Sequence, residues 1–509
     1  MSHAKHGGRV WTAAAAVVSM IAIIVLFAAI VLCPWALPVD STTVRASAVA
    51  SKVGQRQVIA YCPSRMVLPD DASYGDSAYR TSEGNMTSSA RYAAFGAVYA
   101  SQSEPFGVTD GGSSTGQDST TLKDTDPTDS SNVITASGDV NTSASLFTTQ
   151  LLDSAQGSGA AAAIASWATK GDIRGLSAAS CQTPALQSRF VLSDSATGSS
   201  HQLIIANPSS KSTAVQVRIW GTKSAGALSL STGSTVTVDA RSQTVFDLSA
   251  AAPGQDGLYV VVSSEQTPVA SIVRSVKVSG LTAHGSDYET AATQESKTLT
   301  FPSVSEGDRV RLYIHAAHDG DASVHWLGGG KDSKHSFKAD RVTVIDLGQA
   351  AKGALGLTVD ASQPVVAAIS VTRAAQGGQQ DFMMVNAARF DRHAAAALPG
   401  SVTAEVTVVS RASRQSEVTI AGYDDKGRQV GSKKVTVPAE GAARLPVSQI
   451  GDNVAVIATA DGKDAGFGVR LSQKAVQDAK LAGVAHLDAT SLMPRRETIR
   501  ADKDMSLVR

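Results

Sequence analysis

The sequence is short of almost everything that usually betrays a chemistry. Its formal charge cancels, 45 basic against 45 acidic residues in 509, so nothing in it asks for nucleic acid or for a strongly charged partner. Aromatic residues make up only 5%. Cysteine occurs three times, at 33, 62 and 181, and never as Cys-x-x-Cys, which argues against a redox-active pair. After the first forty residues there is no second long apolar run, and the chain's end carries no sortase-type signal. What is there instead is alanine, serine, threonine, valine and glycine, the composition of short strands joined by small-residue turns. At ~100 to 200 residues per domain, this length asks for three to five domains.

The one long apolar run lies at the start. No charged residue occurs from Val10 to Val39, and "AAAAVVSMIAIIVLFAAIVLC" is long enough for a hydrocarbon core that needs ~20 residues. Trp11 and Trp35 bracket it, and a helix rising ~1.5 Å per residue would set both rings near the two interfaces. Lys5 and Arg9 precede it, so the positive-inside rule places residues 1–9 in the cytoplasm and the rest of the chain outside. Two rival readings exist. "ASAVA" at 46–50 offers an Ala-x-Ala cleavage site, far beyond the end of the run, and Cys33 loosely resembles a lipidation cysteine with Leu32 where a small residue is wanted.

Downstream, the chain repeats a pattern. "VFDLSA" (245–250), "VIDLGQ" (344–349) and "RLPVSQ" (444–449) recur at a spacing near 100 residues. Each follows a strand, a polar turn and an alternating strand, as in "QLIIANPSSKSTAVQVRIWG" (202–221), where Val215, Val217 and Ile219 share a face. Each copy closes on an apolar strand with an arginine at or near its end: Arg274, Arg373 and Arg470. About seven short strands per period suit immunoglobulin-like β-sandwiches. An aspartate after a strand is a turn-capping residue, and the third copy has Pro446 where the others have Asp247 and Asp346, so the motif reads as fold rather than catalysis. A more irregular unit precedes these copies. Its "GLSA" at 175–178 matches "GLTA" at 280–283, and a polar Ser/Thr/Asp/Gly insertion at 101–132 interrupts it.

Candidate sites are few. Cys62 and Cys181 are the only cysteines outside the apolar run, and an even pair in an oxidising compartment favours a disulfide over two buried thiols. Asp172 and Arg174, in "GDIRGL", are the most distinctive polar pair outside the copies and are expected to fix a turn or to face a ligand. His315, His318, His325 and His335 fall within 21 residues beside Asp319 and Asp321. Zinc needs three or four converging ligands, and this spacing does not supply convergence, so a solvated hairpin tip is expected and a metal site is the alternative. "GSSTG" at 112–116 matches a nucleophile elbow only formally.

The stretches "GDIRGLSAASCQTP", "RFVLSDS", "LIIANPSS" and "VFDLSA" resemble a family of actinobacterial membrane-anchored exported proteins of unknown function. The family's Gly-acid-Leu/Ile-Arg-Gly-Leu run and its cysteine correspond to Gly171–Leu176 and Cys181, and its Asn-Pro turn to Asn207 and Pro208. The resemblance implies an envelope location and no known enzymatic activity.

The expected fold is mainly β: an N-terminal transmembrane helix followed by tandem immunoglobulin-like β-sandwich domains set out as a rod. The expected boundaries are a cytoplasmic start (1–9), an anchor (10–39), a linker (40–56), a divergent sandwich (57–185) with its insertion disordered, sandwiches at 186–295, 296–393 and 394–490, and a polar tail (491–509). The expected function is a non-enzymatic, membrane-anchored extracytoplasmic binding or scaffold protein of the bacterial cell envelope. The alternatives are an accessory subunit of an envelope polymer-assembly or transport complex, and a metal-dependent hydrolase. No catalytic residue, cofactor or metal is expected. The expected partners are the membrane and cell-wall glycan or an envelope membrane protein, with no nucleic acid.

Overall fold

The computed structural model describes residues 8–32, 49–69, 82–107, 119–122, 126–280, 282–460, 462 and 464–501. It is mainly β, built from several antiparallel sheets.

Residues 1–53 and 496–509 form one body. It contains a helix, Gly8–Leu32, and a two-stranded sheet of Val49–Gly54 with Arg496–Ala501, so the expected polar tail supplies a strand. The helix side chains from Val17 to Phe27 include nine large apolar ones, each 55–66% exposed. Among the described residues, which for this helix give side chains from 16 to 28 only, no helix is long and apolar enough to cross a membrane. The Trp11 side chain, Trp35, Cys33 and the rest of the expected span lie outside the described residues.

Residues 54–495 form the second body. Among the described residues it contains four units built on eight strand positions each, one more than the spacing suggested, and the fourth adds a two-residue strand, Thr490–Ser491, beside its first. In the second unit these are Gln187–Leu192, Ser199–Asn207, Thr213–Trp220, Thr235–Val238, Ser242–Asp247, Leu258–Ser264, Ala270–Ser279 and Thr282–Glu289. Counted within the unit, one sheet runs 1-6-3-4 and the other 5-2-7-8, and the remaining three units repeat both orders. In the third unit a single 19-residue strand, Gly356–Ala374, serves as both sixth and seventh, its first half in one sheet and its second half in the other. In the first unit residues 101–106 continue a strand and 120–122 form another, where the composition had suggested a disordered insertion.

Local chemistry accounts for the elements. Thr213–Trp220 buries Val215, Val217 and Ile219 while Gln216 and Arg218 stay exposed, the period-two pattern of a half-buried strand. The Asn-Pro turn is held by Asn207, whose buried amide donates to the carbonyls of Lys211, Val238 and Asp239 and accepts from Ser209 N. The recurrent fifth-strand motif ends its strand at Asp247 and at Pro446, whereas the strand through Asp346 shifts register and runs on to Gln349. Asp247 accepts from Ala250 N at 3.0 Å, Asp346 accepts from Gly348 N at 3.0 Å, and Leu248 and Val447 are buried beneath.

The units do not form a rod. Both faces of several sheets are covered, because the outer face of one unit packs on the next. Ile204, Ala206 and Ile272 of the second unit join the core of the first. Trp220 and Tyr259 of the second meet Tyr313 and Phe382 of the third. Leu327 of the third meets Val409 of the fourth. Ala394–Ala397 of the fourth shares a cluster with Ala161, Ala163 and Ala165 of the first, which closes the ring. The four eighth strands, Gly175–Ser180, Thr282–Glu289, Gln380–Asn386 and Ala485–Asp488, line the middle against one another.

Candidate functional site

The centre of this ring is where polar chemistry concentrates. Asp381 opens into it from the third unit and is 0% exposed. Its carboxylate accepts Leu176 N (3.0 Å) from the first unit, Val484 N (3.0 Å) from the fourth, Phe382 N (3.1 Å) from its own strand, and the Ser286 amide from the second. One side chain therefore collects backbone donors from all four units. Burial drives this carboxyl well above its ordinary pKa, and the four amides oppose that shift. The space for it is made by Gly175 and Gly285, each one residue before an amide that reaches Asp381; Gly483 likewise precedes Val484, but a Cβ there would meet Val476 at 2.6 Å instead. A Cβ on Gly175 would come within 3.0 Å of the carboxyl group, and one on Gly285 within 2.5 Å of Oδ1, both at positive φ.

Gly285→Ala is accordingly expected to destabilise the ring by at least about 2 kcal/mol, since it combines a positive φ with a clash against fixed atoms. Gly377→Ala provides the control, because Gly377 also has positive φ (73°) but nothing within 4 Å of its added methyl. Urea unfolding of the two variants separates the cost of the clash from that of the dihedral.

Second ties surround the first. Asp287 Oδ2 accepts Met384 N at 2.8 Å across the second and third units. Ser177 Oγ donates to Ser286 O at 2.9 Å, and Ser180 Oγ to Asp488 O at 2.6 Å. The repeat arginines also sit at seams. Asp308, 0% exposed, receives Arg373 Nε at 2.8 Å from its own unit and Arg470 Nη1 at 2.8 Å from the fourth. Arg274, 8% exposed, gives Nε and Nη2 to Gln202 Oε1 between Tyr61 and Tyr288 at the boundary of the first two units.

The residues singled out from the sequence fall as follows. Cys62 and Cys181 are joined in a disulfide. Asp172 and Arg174 do not pair with each other: Asp172 Oδ2 accepts Ser82 N at 2.7 Å, and Arg174 Nη1 donates to its own turn at Gly171 O, 3.3 Å away. The informative part of that motif is its Gly175–Leu176 end, and the matching glycine of the second unit is Gly285, which approaches the same carboxylate, rather than Gly280. The histidines are dispersed. His315 is buried, stacked on Tyr259 with ring centroids 4.0 Å apart, and burial pushes it down to about 4. His325 meets Asp332 at 2.8 Å, His335 meets Ser333 at 2.9 Å, and His318 is exposed. Among the described residues no group of three or more metal-ligating side chains is placed to hold an ion. Residues 112–116 lie outside the described residues.

Asp381, Asp308 and Glu289 carry no motif. The only mark of Asp381 in the sequence is an acid inside an apolar strand, "QDFMMVN", whereas Glu289 ends a mixed strand and Asp308 lies in the turn before Arg309–His315.

Fold and centre together define a class: a mainly-β protein whose four two-sheet units close around one buried carboxylate. Within it, the chain belongs to the Family of unknown function (DUF5719), whose family model matches residues 134–448. The matched stretch runs from the fifth strand of the first unit to the turn after the fifth strand of the fourth, so it takes in Asp381 and the amides of Leu176, Ser286 and Phe382 but ends before Val484 and the fourth unit's eighth strand. No curated protein and no solved structure matches the chain.

Proposed function

We propose that this chain is a non-enzymatic scaffold or binding protein of the cell envelope, anchored by its N-terminal helix with residues 54–495 held outside the cytoplasm. The observation that carries this reading is where its buried polar groups go. Asp381, Asp308 and Arg470 bond the protein's own backbone and one another at seams, and Arg274 is taken up by the Gln202 side chain, which favours a stiff body presenting several outer faces over a reaction centre. Exposed apolar side chains along Val17–Phe27, which water would not tolerate as a contiguous surface, support the anchor, and the Cys62–Cys181 disulfide supports an oxidising compartment.

The immunoglobulin-like reading of the units has partial support. Neighbours 2–5 and 4-3-6 match the B–E and C′-C-F neighbours of such domains, while the first and seventh strands change sheets and an eighth is added. The test is fractionation of cells making the full chain, with protease added to intact cells and to lysed ones. Retention in the membrane after alkaline wash, with the 54–495 body cleaved or labelled from outside, is the expected result. A body released into the soluble cytosolic fraction would remove the proposal. Crosslinking in the same cells then separates wall glycan from a stoichiometric membrane protein as the partner.

A further inference from the structure

We propose that His201 and Glu289 form a buried proton-binding couple that sets how tightly the second unit holds the third. Glu289 ends the eighth strand of the second unit, 2% exposed, and among the described residues no hydrogen bond of ordinary geometry reaches either of its oxygens. Its Oε1 lies 3.8 Å from Nδ1 of His201, which is itself 0% exposed. The imidazole is fully engaged: Nε2 lies 2.8 Å from the Asp194 carbonyl and must donate to it, and because burial favours the neutral ring, Nδ1 accepts the Ser275 hydroxyl at 2.6 Å. A neutral imidazole gives Glu289 no proton, so the carboxyl is comfortable in this site only when it carries its own.

The charges around the couple do not resolve this. Lys277, from the seventh strand, is committed to Asp194 at 2.6 Å and lies over the Phe382 ring of the third unit. Asp287 on the eighth strand with Glu289, Asp194 before the second strand, Asp247 at the end of the fifth, and Asp381 from the third unit are all acidic, and Tyr313 of the third unit is buried close by. Burial pushes Glu289 up to about 7, against Ser275 and Lys277. Burial likewise pushes His201 down to about 4.

The signs of the two groups are opposite. Glu289, raised from 4.5, contributes its stability fully below about pH 4.5 and loses it as pH rises through about 7. His201, lowered from 6.5, contributes above about pH 6.5 and loses it as pH falls through about 4. Between these limits the two slopes offset each other, and the junction is tightest in mild acid. Above neutrality an unpaired anion is left beside the strand that bonds the third unit through Asp287 to Met384 N and through Thr290 to the Asn386 amide.

The experiment is hydrogen exchange on the full chain at pH 6 and pH 8, corrected for intrinsic rates, with Glu289→Gln alongside. Residues 282–290 and 380–386 of the wild type are expected to lose protection at pH 8 while the variant keeps it. The equilibrium gap between the two is expected to widen by up to about 300-fold from pH 4.5 to 8. Equal pH responses in wild type and variant would overturn the couple. If the variant does not fold, the infrared carboxylic-acid band of the wild type serves instead. A buried band that disappears between pH 6 and 8 supports the proposal, and a carboxyl already ionised at pH 6 ends it.

Discussion

Asp381→Ala should open the ring. The substitution strands the amides of Leu176, Ser286, Phe382 and Val484 at a buried centre, and three of these belong to other units. A buried donor left without an acceptor costs roughly 1 to 3 kcal/mol, and although water entering the vacated space recovers part of that, a loss of about 4 kcal/mol or more is expected. Set against the ~5 to 15 kcal/mol by which native proteins are stable, this is enough to let the units come apart separately. Denaturant unfolding followed by circular dichroism is expected to turn from one transition into several, with the eighth strands exchanging first. Asp381→Asn, which keeps the volume and one acceptor oxygen but turns an NH₂ toward the donors, should fall between wild type and alanine. An alanine variant within ~1 kcal/mol of wild type, still unfolding in one step, would mean that the amides find other partners and that the centre is not the tie.

Cys62→Ala with Cys181→Ala is the second large effect. The bond links the end of the first strand of the first unit to the residue after its eighth, 119 positions on. Tyr61 and Gln182 beside it exchange two backbone hydrogen bonds of 2.8 Å each, so the unit's two ends are already aligned when the sulfurs meet. Closing a loop of this length removes unfolded-state entropy worth about 5 kcal/mol in chain-entropy models. The double variant should lose most of that, with the loss concentrated in the first unit. Because the cysteines are 0% and 7% exposed, reductant alone should act slowly on the folded protein and quickly once denaturant is added. Thermal unfolding with and without reductant measures both. A double variant as stable as wild type would show that the unit's core suffices alone.

How much of this was legible follows from what each kind of residue reports. The repeat, its turns and the disulfide could be read because they are local or countable: Asn207 caps a turn within a few residues, and two cysteines have one way to pair. The ring could not, because the strands that build it look ordinary. "GAAAAIASWA" (159–168) is buried along nearly its whole length, and only the lack of alternation hints that it faces protein on both sides. Trp220 alternates onto the face of the exposed Gln216 and Arg218, yet the third unit and not water covers it. In "GDIRGL" the charged residues drew attention, whereas the centre depends on Gly175 for its lack of a side chain and on Leu176 for its amide. The acids that matter, Asp381 and Glu289, are unremarked in any one-dimensional pattern because their partners come from other units.

The closure between Ala394–Ala397 and the alanines of 161–165 also fixes an order of events. The first unit's exposed alanine face has its partner more than two hundred residues later in the chain, so a polypeptide emerging from its N-terminus carries an unmatched sheet surface until the fourth unit is made. Contacts of such long sequence separation form slowly. A chain cut short anywhere before residue 394 would therefore be a sticky intermediate rather than a smaller version of the same protein.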